Sequence, residues 1–318
     1  MNKDNIIIYV SSRNNYDMLK GEVFNIDFEG FEFINVDDGS SKEEVNKGRE
    51  YCKEKNVIFL QNKSRGVQMA TQTVVDFINS NRPNCKYILC FQHDVVPISD
   101  NFFSKISSLV SSNKLSDFGA IGFNVLDRGK YTKDSYDRYL NGEKPLGMIG
   151  LAHIGIPGAA KRWISPHHND IATRNSDKWN KPFSIEFPAW MCVGINLKIW
   201  NELIKPTDKY HFHLWFPDIA MQLNYHNKPL VVLPHLYCLN QQEVKVKYGI
   251  NDNSASGARS GNSYHFGEYS NFKVWKERWG WDYENANATF PKVAYKGTLL
   301  EEYYEHDLEK GPLNTYNL

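Results

Sequence analysis

For its first 125 residues the chain alternates between short apolar runs and amphipathic stretches. Residues 5–10 (NIIIYV) are apolar and β-branched, which predicts a buried strand. Residues 32–36 (EFINV) predict a second, followed at once by Asp37-Asp38-Gly39-Ser40-Ser41. Ser41 with Glu43 and Glu44 marks a helix start, with acids near the positive end of the helix dipole, and that helix should run to about Lys55. A third strand (57–60, VIFL), a polar turn (61–66, QNKSRG) and a helix over 67–80 follow. Residues 87–91 (YILCF) predict a fourth buried strand. It breaks at Gln92-His93-Asp94, returns to Val95-Val96 and turns at Pro97. A helix over 101–112 and a strand over 118–125 complete this half. Strands alternating with helices predict a parallel sheet covered on both faces, with right-handed crossovers.

After residue 125 the pattern loosens. Residues 126–182 are irregular and rich in Gly, Pro, His and Arg, and such a long excursion is usually functional or mobile. Residues 183–196 return to strand, with a helix over 197–204. HFHLWFPD (211–218) leads into a helix over 218–227, and PLVVLP (229–234) is the last buried strand. The Gly/Ser/Asn-rich stretch 250–264 has the composition of a mobile loop that closes over a ligand. Residues 271–281 predict a closing amphipathic helix. The expectation is one continuous domain with an N-terminal half, 1–125, and a C-terminal half, 126–318. The fold class is α/β, with a Rossmann-like, mostly parallel central sheet.

Composition narrows the classes. Among 318 residues, 41% are hydrophobic and 23% charged, which is ordinary for a globular chain. Lys+Arg and Asp+Glu both total 37, so no basic excess points to nucleic acid. Five cysteines, with no C-x-x-C pair, give neither a disulfide framework nor a zinc site, so a reducing, cytoplasmic compartment is expected. No stretch approaches the roughly 20 apolar residues of a spanning helix. No transmembrane segment is therefore expected, and peripheral membrane contact stays open. G-x-G-x-x-G and G-x-x-x-x-G-K-[ST] are both absent, which removes the dinucleotide fingerprint and the P-loop.

Several polar groups fall where strands end, the place at which open α/β sheets bind ligands. They are Ser11 and Arg13 after the first strand, Asp37 and Asp38 after the second, Gly66 before the helix at 67, and Gln92-His93-Asp94 after the fourth strand. Each has a plainer local alternative. Asp-Gly-Ser is common turn chemistry, Gly66 can simply open a helix, and Asp94 can cap a turn before Pro97. In an extended chain Gln92 and Asp94 share a face and His93 points away. Asp94 could then offer a hard divalent cation one carboxylate, and Gln92 a neutral amide oxygen. At Asp218, placed at a helix N-terminus, the dipole favours the anion. An ionised carboxylate there can act as general base or merely cap the helix.

In order and spacing these pieces resemble the inverting, family-two-type nucleotide-sugar glycosyltransferases with the A-type fold. The pieces are Asp37-Asp38-Gly39-Ser40, Asn62 to Gly66, Gln92-His93-Asp94, Trp190 to Gly194, Phe216-Pro217-Asp218, Leu233-Pro234-His235 and NFKVWKERWG. Together they cover roughly residues 5–125 and 183–280. The resemblance implies the glycosyltransferase A-type fold. It also implies transfer of a sugar from a nucleotide-diphosphate donor to a glycan or glycolipid acceptor, as in polysaccharide biosynthesis. By resemblance, Ser11, Arg13, Asp37, Asp38, Gly66 and Gln92 line the nucleotide and Asp94 holds Mn2+ or Mg2+. Asp218 is the base, with Glu186 in reserve, and Trp190, His213 and Trp215 face the acceptor. His211 precedes Asp218 as well, and Arg259 is expected to close over the diphosphate. His153, His167 and His168 lack metal-ligand spacing. The chain departs from the family at three places. Gln92 replaces the first Asp of Asp-x-Asp, Pro217 replaces an acid, and the late metal-binding His falls near Asn240 instead of His235. Two alternatives stay open: a sugar- or nucleotide-binding protein with impaired catalysis, and a sugar nucleotidyltransferase.

Overall fold

The computed structural model describes residues 3–127, 135–152, 162–164, 176–210, 214–249, 271–280 and 295–318. His153, His167, His168, His211, His213, Arg259 and the 250–264 loop lie outside the described residues.

The chain runs β1 (Ile6–Ser12), α1 (Tyr16–Gly21), β2 (Phe33–Asp37), α2 (Lys42–Glu54), β3 (Ile58–Gln61), α3 (Val67–Asn81), β4 (Tyr87–Phe91), β5 (Val95–Pro97), α4 (Phe102–Ser111) and β6 (Ala120–Asp127). The excursion carries α5 (Ser135–Leu140), β7 (Gly150–Ala152) and β8 (Arg162–Ile164). Then come β9 (Phe183–Ile185), β10 (Phe187–Pro188), β11 (Cys192–Asn196), α6 (Leu197–Leu203), α7 (Trp215–Tyr225), β12 (Leu230–Asn240), α8 (Gln242–Lys247), α9 (Asn271–Trp279) and α10 (Leu299–Glu305).

Nine described strands form the main sheet, in the order β3-β2-β1-β4-β11-β6-β12-β5, with β9 also on β12. Strands β3, β2, β1 and β4 are mutually parallel. Strand β11 is antiparallel to both β4 and β6, and β12 is parallel to β6. Strands β3, β2, β1, β4, β6 and β12 therefore end at the same edge of the sheet, where β11 begins, while β5 and β9 also run opposite to β12. The alternation of side chains splits β1 between two cores. Ile7 and Tyr9 pack with α3 and α7, while Ile6, Ile8 and Val10 pack with α1 and α4. Each such burial contributes about 2 kcal/mol, and a one-residue slip would exchange the two sets, so the register is fixed.

Two elements differ from expectation. The stretch 183–196 is not one strand but three, β9, β10 and β11. Strand β12 continues past Pro234 to Asn240, with a register shift between Leu233 and Tyr237. Its first half pairs with β9 and its second with β5, so the irregularity is where the strand changes partner. Asn124, fully buried on β6, satisfies the break. Its amide nitrogen donates to the carbonyls of Pro145 and Pro234, 2.9 Å each, and its oxygen accepts from Gly147 N–H at 2.7 Å. Gly194 explains the small-residue strand, because a Cβ there would collide with Ile121 from the neighbouring β6.

Candidate active site

The polar residues at the shared strand edge form two clusters. In the first, Asp37 and Asp38 divide the work. Asp37 is buried and accepts from the Tyr16 hydroxyl at 2.9 Å and from the Gly39 and Ser40 amides at 3.2 Å, so it holds its own turn. Asp38 reaches across to the turn after β3. Its Oδ1 accepts from Asn62 Nδ2 at 2.7 Å and from the Gly66 amide at 2.9 Å, and that amide lies 3.2 Å from Oδ2. Gly66 has φ +110°, a conformation open to glycine alone, and this aims its N–H at Asp38 as α3 begins. Burial pushes the Asp38 carboxyl up. Hydrogen bonds from Asn62 and Gly66 and the charges of Arg65 and Arg13 pull it back. Arg13 donates to the Gly39 carbonyl at 3.2 Å, while Ser11 stays half-buried on β1. The expected nucleotide-binding residues of the first three strands are thus neighbours.

The first turn of α3 joins this cluster to Asp218. Gln68, two residues after Gly66, donates through Nε2 to Asp218 Oδ2 at 3.0 Å and to the Trp215 carbonyl at 2.7 Å. Asp218 is fully buried and accepts three further bonds: Gln222 Nε2 at 3.0 Å, Trp279 Nε1 at 2.8 Å and Arg278 Nε at 2.7 Å. Burial raises its carboxyl, and the Arg278 charge leads the groups that lower it. Tyr210 is pushed up by burial and by the neighbouring Asp218 charge. Asp218 is not a helix cap. The helix begins three residues earlier than expected, at Trp215, because Pro217 fits a first turn that needs no amide hydrogen from it. The Asp218 amide itself donates to Leu214 O at 3.0 Å. Leu214 enters the helix at φ +61°, a strained conformation for a bulky side chain. Trp215, expected at an acceptor surface, is 1% exposed and packs in the core cluster behind the sheet.

The second cluster surrounds Gln92-His93-Asp94. These residues do not continue the strand. The Gln92 carbonyl accepts from Val95 N–H at 3.0 Å, which closes a turn between β4 and β5, so extended alternation does not govern their side chains. The Gln92 amide donates to Met191 O at 2.9 Å, bringing half-buried Trp190 beside the turn. The Asp94 carbonyl accepts from Gln241 N–H at 2.7 Å, and Asp94 is 4% exposed. Asn240, the last residue of β12, stands opposite Val95 on one side and Asp127 on the other. Asp127 falls in the stretch expected to be irregular, yet β6 runs through it, and the pairing of β6 with β12 brings it here. Glu186 is buried away from this edge, and its carbonyl accepts from Asn224 at 2.9 Å. His235 lies exposed on the β12 bulge.

A cation fits this second cluster in one way. Among the described residues no group of three or more His, Cys, Asp or Glu is placed to hold a metal. The donors at hand are the Asp94 and Asp127 carboxylates and the Asn240 amide oxygen, a buried atom with no hydrogen-bond partner. That all-oxygen set suits a hard divalent ion that brings further oxygen ligands with it. A separate cavity of ≈ 680 Å³ opens at the opposite edge, where Arg82 and Phe31 line it, but Arg82 is already paired with Glu32 at 2.8 Å.

No protein-family model and no curated protein matches the chain. Solved structures do. The structure of GalNAc-T7 with UDP, GalNAc and Mn2+ superposes with a TM-score of 0.51 at 12% identity, over 74% of this chain and 43% of that one. The fold is glycosyltransferase A-type. This A-type chain spans less than half the length of the GalNAc-T7 chain. The mannosyltransferase PcManGT from Pyrobaculum calidifontis, in complex with GDP-Man and Mn2+, gives a TM-score of 0.47 at 10% identity, covering 74% of this chain and 56% of its own. S. aureus TarS gives 0.42 at 12% identity, covering 86% and 45%. In the A-type fold described above, both polar clusters lie at the strand edge flanking the point where the sheet order reverses, between β1 and β4.

Proposed function

We propose that this chain transfers a glycosyl group from a nucleotide-diphosphate sugar to a glycan or glycolipid acceptor. The observation that carries the reading is the first turn of α3, where Gly66 meets Asp38 and Gln68 meets Asp218. The nucleotide would lie against Ser11, Arg13, Asp38 and Gly66, in the N-terminal half. The acceptor would approach from the C-terminal half, over Trp190 and Trp279. A Mn2+ or Mg2+ ion, held by Asp94 with Asn240, would neutralise charge on the departing diphosphate. Asp218 is our candidate base. An acceptor hydroxyl would replace the Trp279 N–H at Oδ1, give its proton to the carboxylate and attack the sugar with inversion. The setting we propose is cytoplasmic, in polysaccharide or glycolipid synthesis. No helix among the described residues is long and apolar enough to cross a membrane.

One observation favours a second reading, a protein that binds sugar nucleotides without turnover: both Asp218 oxygens are engaged by neighbours. A panel of nucleotide-sugars, scored for thermal stabilisation and for hydrolysis or transfer with and without Mn2+, separates the two. Stabilisation with turnover supports the transferase, stabilisation alone supports the binding protein, and neither response rejects both. Within an active pair, Asp218→Asn should lower turnover about 10²- to 10⁴-fold while binding persists. Intact turnover in that variant would remove Asp218 from the base role.

A further inference from the structure

We infer that Gln68 is the positioning residue for Asp218, fixing which carboxylate oxygen is left to meet the acceptor. The inference rests on the proposed function, which makes Asp218 the base. Gln68 heads the buried stripe of α3, ahead of Thr71, Val74, Val75 and Ile78, and is itself fully buried. An amide in that place is costly unless its polar atoms are satisfied, and here each has a partner. Its Oε1 accepts from Thr207 N–H at 2.9 Å. Its Nε2 donates to the Trp215 carbonyl at 2.7 Å and to Asp218 Oδ2 at 3.0 Å. Turning the amide over would set its oxygen against two acceptors and its nitrogen against a donor, so the side chain has one orientation. Gln222 Nε2 reaches the same Oδ2 at 3.0 Å, and its Oε1 accepts from Lys205 N–H at 2.7 Å. Oδ2 is thus clamped by two neutral amides, from α3 and α7, both anchored on the stretch 205–207. Among the described residues Oδ1 takes its donors from α9 instead, Trp279 Nε1 and Arg278 Nε.

The arrangement gives the two oxygens different tasks. A carboxylate held at one oxygen by fixed amides keeps its plane, and its other oxygen stays aimed where an acceptor hydroxyl would arrive. The same bond favours the charged form. Burial raises the Asp218 carboxyl, and the Arg278 charge and then the Gln68 bond lead the groups that lower it. Among the described residues, Arg278 from α9 and Tyr210 from the stretch before α7 are the charged and titratable groups against Asp218, while Gln68, Gln222 and Trp279 are neutral. Gln68 acts on the reaction through Asp218 alone.

The test is kinetic and uses the full chain with a nucleotide-sugar that the wild type turns over. Q68M keeps the length of the side chain but has no donor. Its kcat should fall about 10- to 10²-fold while the KM for the nucleotide-sugar changes little. The acid limb of its pH profile should move to higher pH, because a lost donor favours the protonated carboxyl. Asn124→Ala, a substitution far from Asp218, is the control: it should lose stability without moving that limb. Circular dichroism and urea unfolding follow each variant. Q68E serves where Q68M does not fold. It keeps the shape of glutamine and faces Asp218 with a second carboxyl, so the pair retains a proton and the acid limb should move up further still. A kcat within about twofold of the wild type in the folded variant overturns the positioning role and leaves the proposed function standing. A loss of kcat with the acid limb unmoved, as in the control, overturns the role as well. Wild type that turns over no nucleotide-sugar rejects the proposed function and this role with it.

Discussion

At the scale of single residues, Gly66 and Asp38 are the pair on which the nucleotide end depends. Gly66→Ala puts a side chain at φ +110° and should cost about 1–3 kcal/mol, read from urea unfolding. Asp38 makes a prediction with a definite sign. Its carboxyl is raised above the ordinary 3.8 by burial, the reverse of a carboxylate stabilised by a salt bridge. Its charge therefore costs stability above the folded value, and the cost disappears as pH falls toward 3.8. Asp38→Asn removes that titration. The unfolding free energy of the wild type minus that of Asp38→Asn should rise as pH is lowered from neutral to about 4, and a flat or falling difference would exclude the assignment. The division of labour between Asp37 and Asp38 could not be read from the sequence. Adjacent carboxylates in one loop are chemically alike, and only Tyr16 on one side and Gly66 on the other tell them apart.

At the scale of elements, the alternation of strands and helices from β2 to β6 was legible because the strands are largely apolar and the helices carry a spaced apolar stripe, whereas α1, only six residues long, was not expected. The misses have physical causes. Three-residue β5 is too short to carry a period. Pro217 and Pro234 read as stops, yet one sits in a first helical turn and the other in a strand irregularity repaired from a distant residue. That repair is testable. Asn124→Ala leaves two carbonyls and the Gly147 amide without their buried partner, so a loss of about 3 kcal/mol in chemical unfolding is expected. A second prediction concerns the junction of α3, α7 and α9. Arg278→Met withdraws the cation from a fully buried Asp218 and should cost about 2–3 kcal/mol, somewhat under the value for a wholly buried pair because Arg278 is 28% exposed. Stability within a few tenths of the wild type would mean that Asp218 is protonated or resolvated.

For the whole molecule, the sheet order predicts where the fold is tightest. Strands β1, β4 and β11 lie inside the sheet with neighbours on both sides, whereas β3 is an edge strand with only half-buried or exposed residues. Native-state hydrogen exchange should be slowest in β1, β4 and β11 and fastest, among the strands, in β3. Equal protection would contradict the order. The Asn124 contacts have one more consequence, for how such a chain can change over generations. Residues 124 and 125 of β6 hold Pro145, Gly147 and Met148, so the stretch from α5 to residue 144 returns to the sheet at a fastened point. Within it Gly142 is exposed, at φ +83°, with open space where a side chain would stand. Lengthening a closed loop costs only about 0.6 kcal/mol per doubling. This stretch is accordingly a cassette, and a flexible insert at Gly142 should leave the unfolding midpoint nearly unmoved. Descendants of the chain can trade new surface there without renegotiating the sheet.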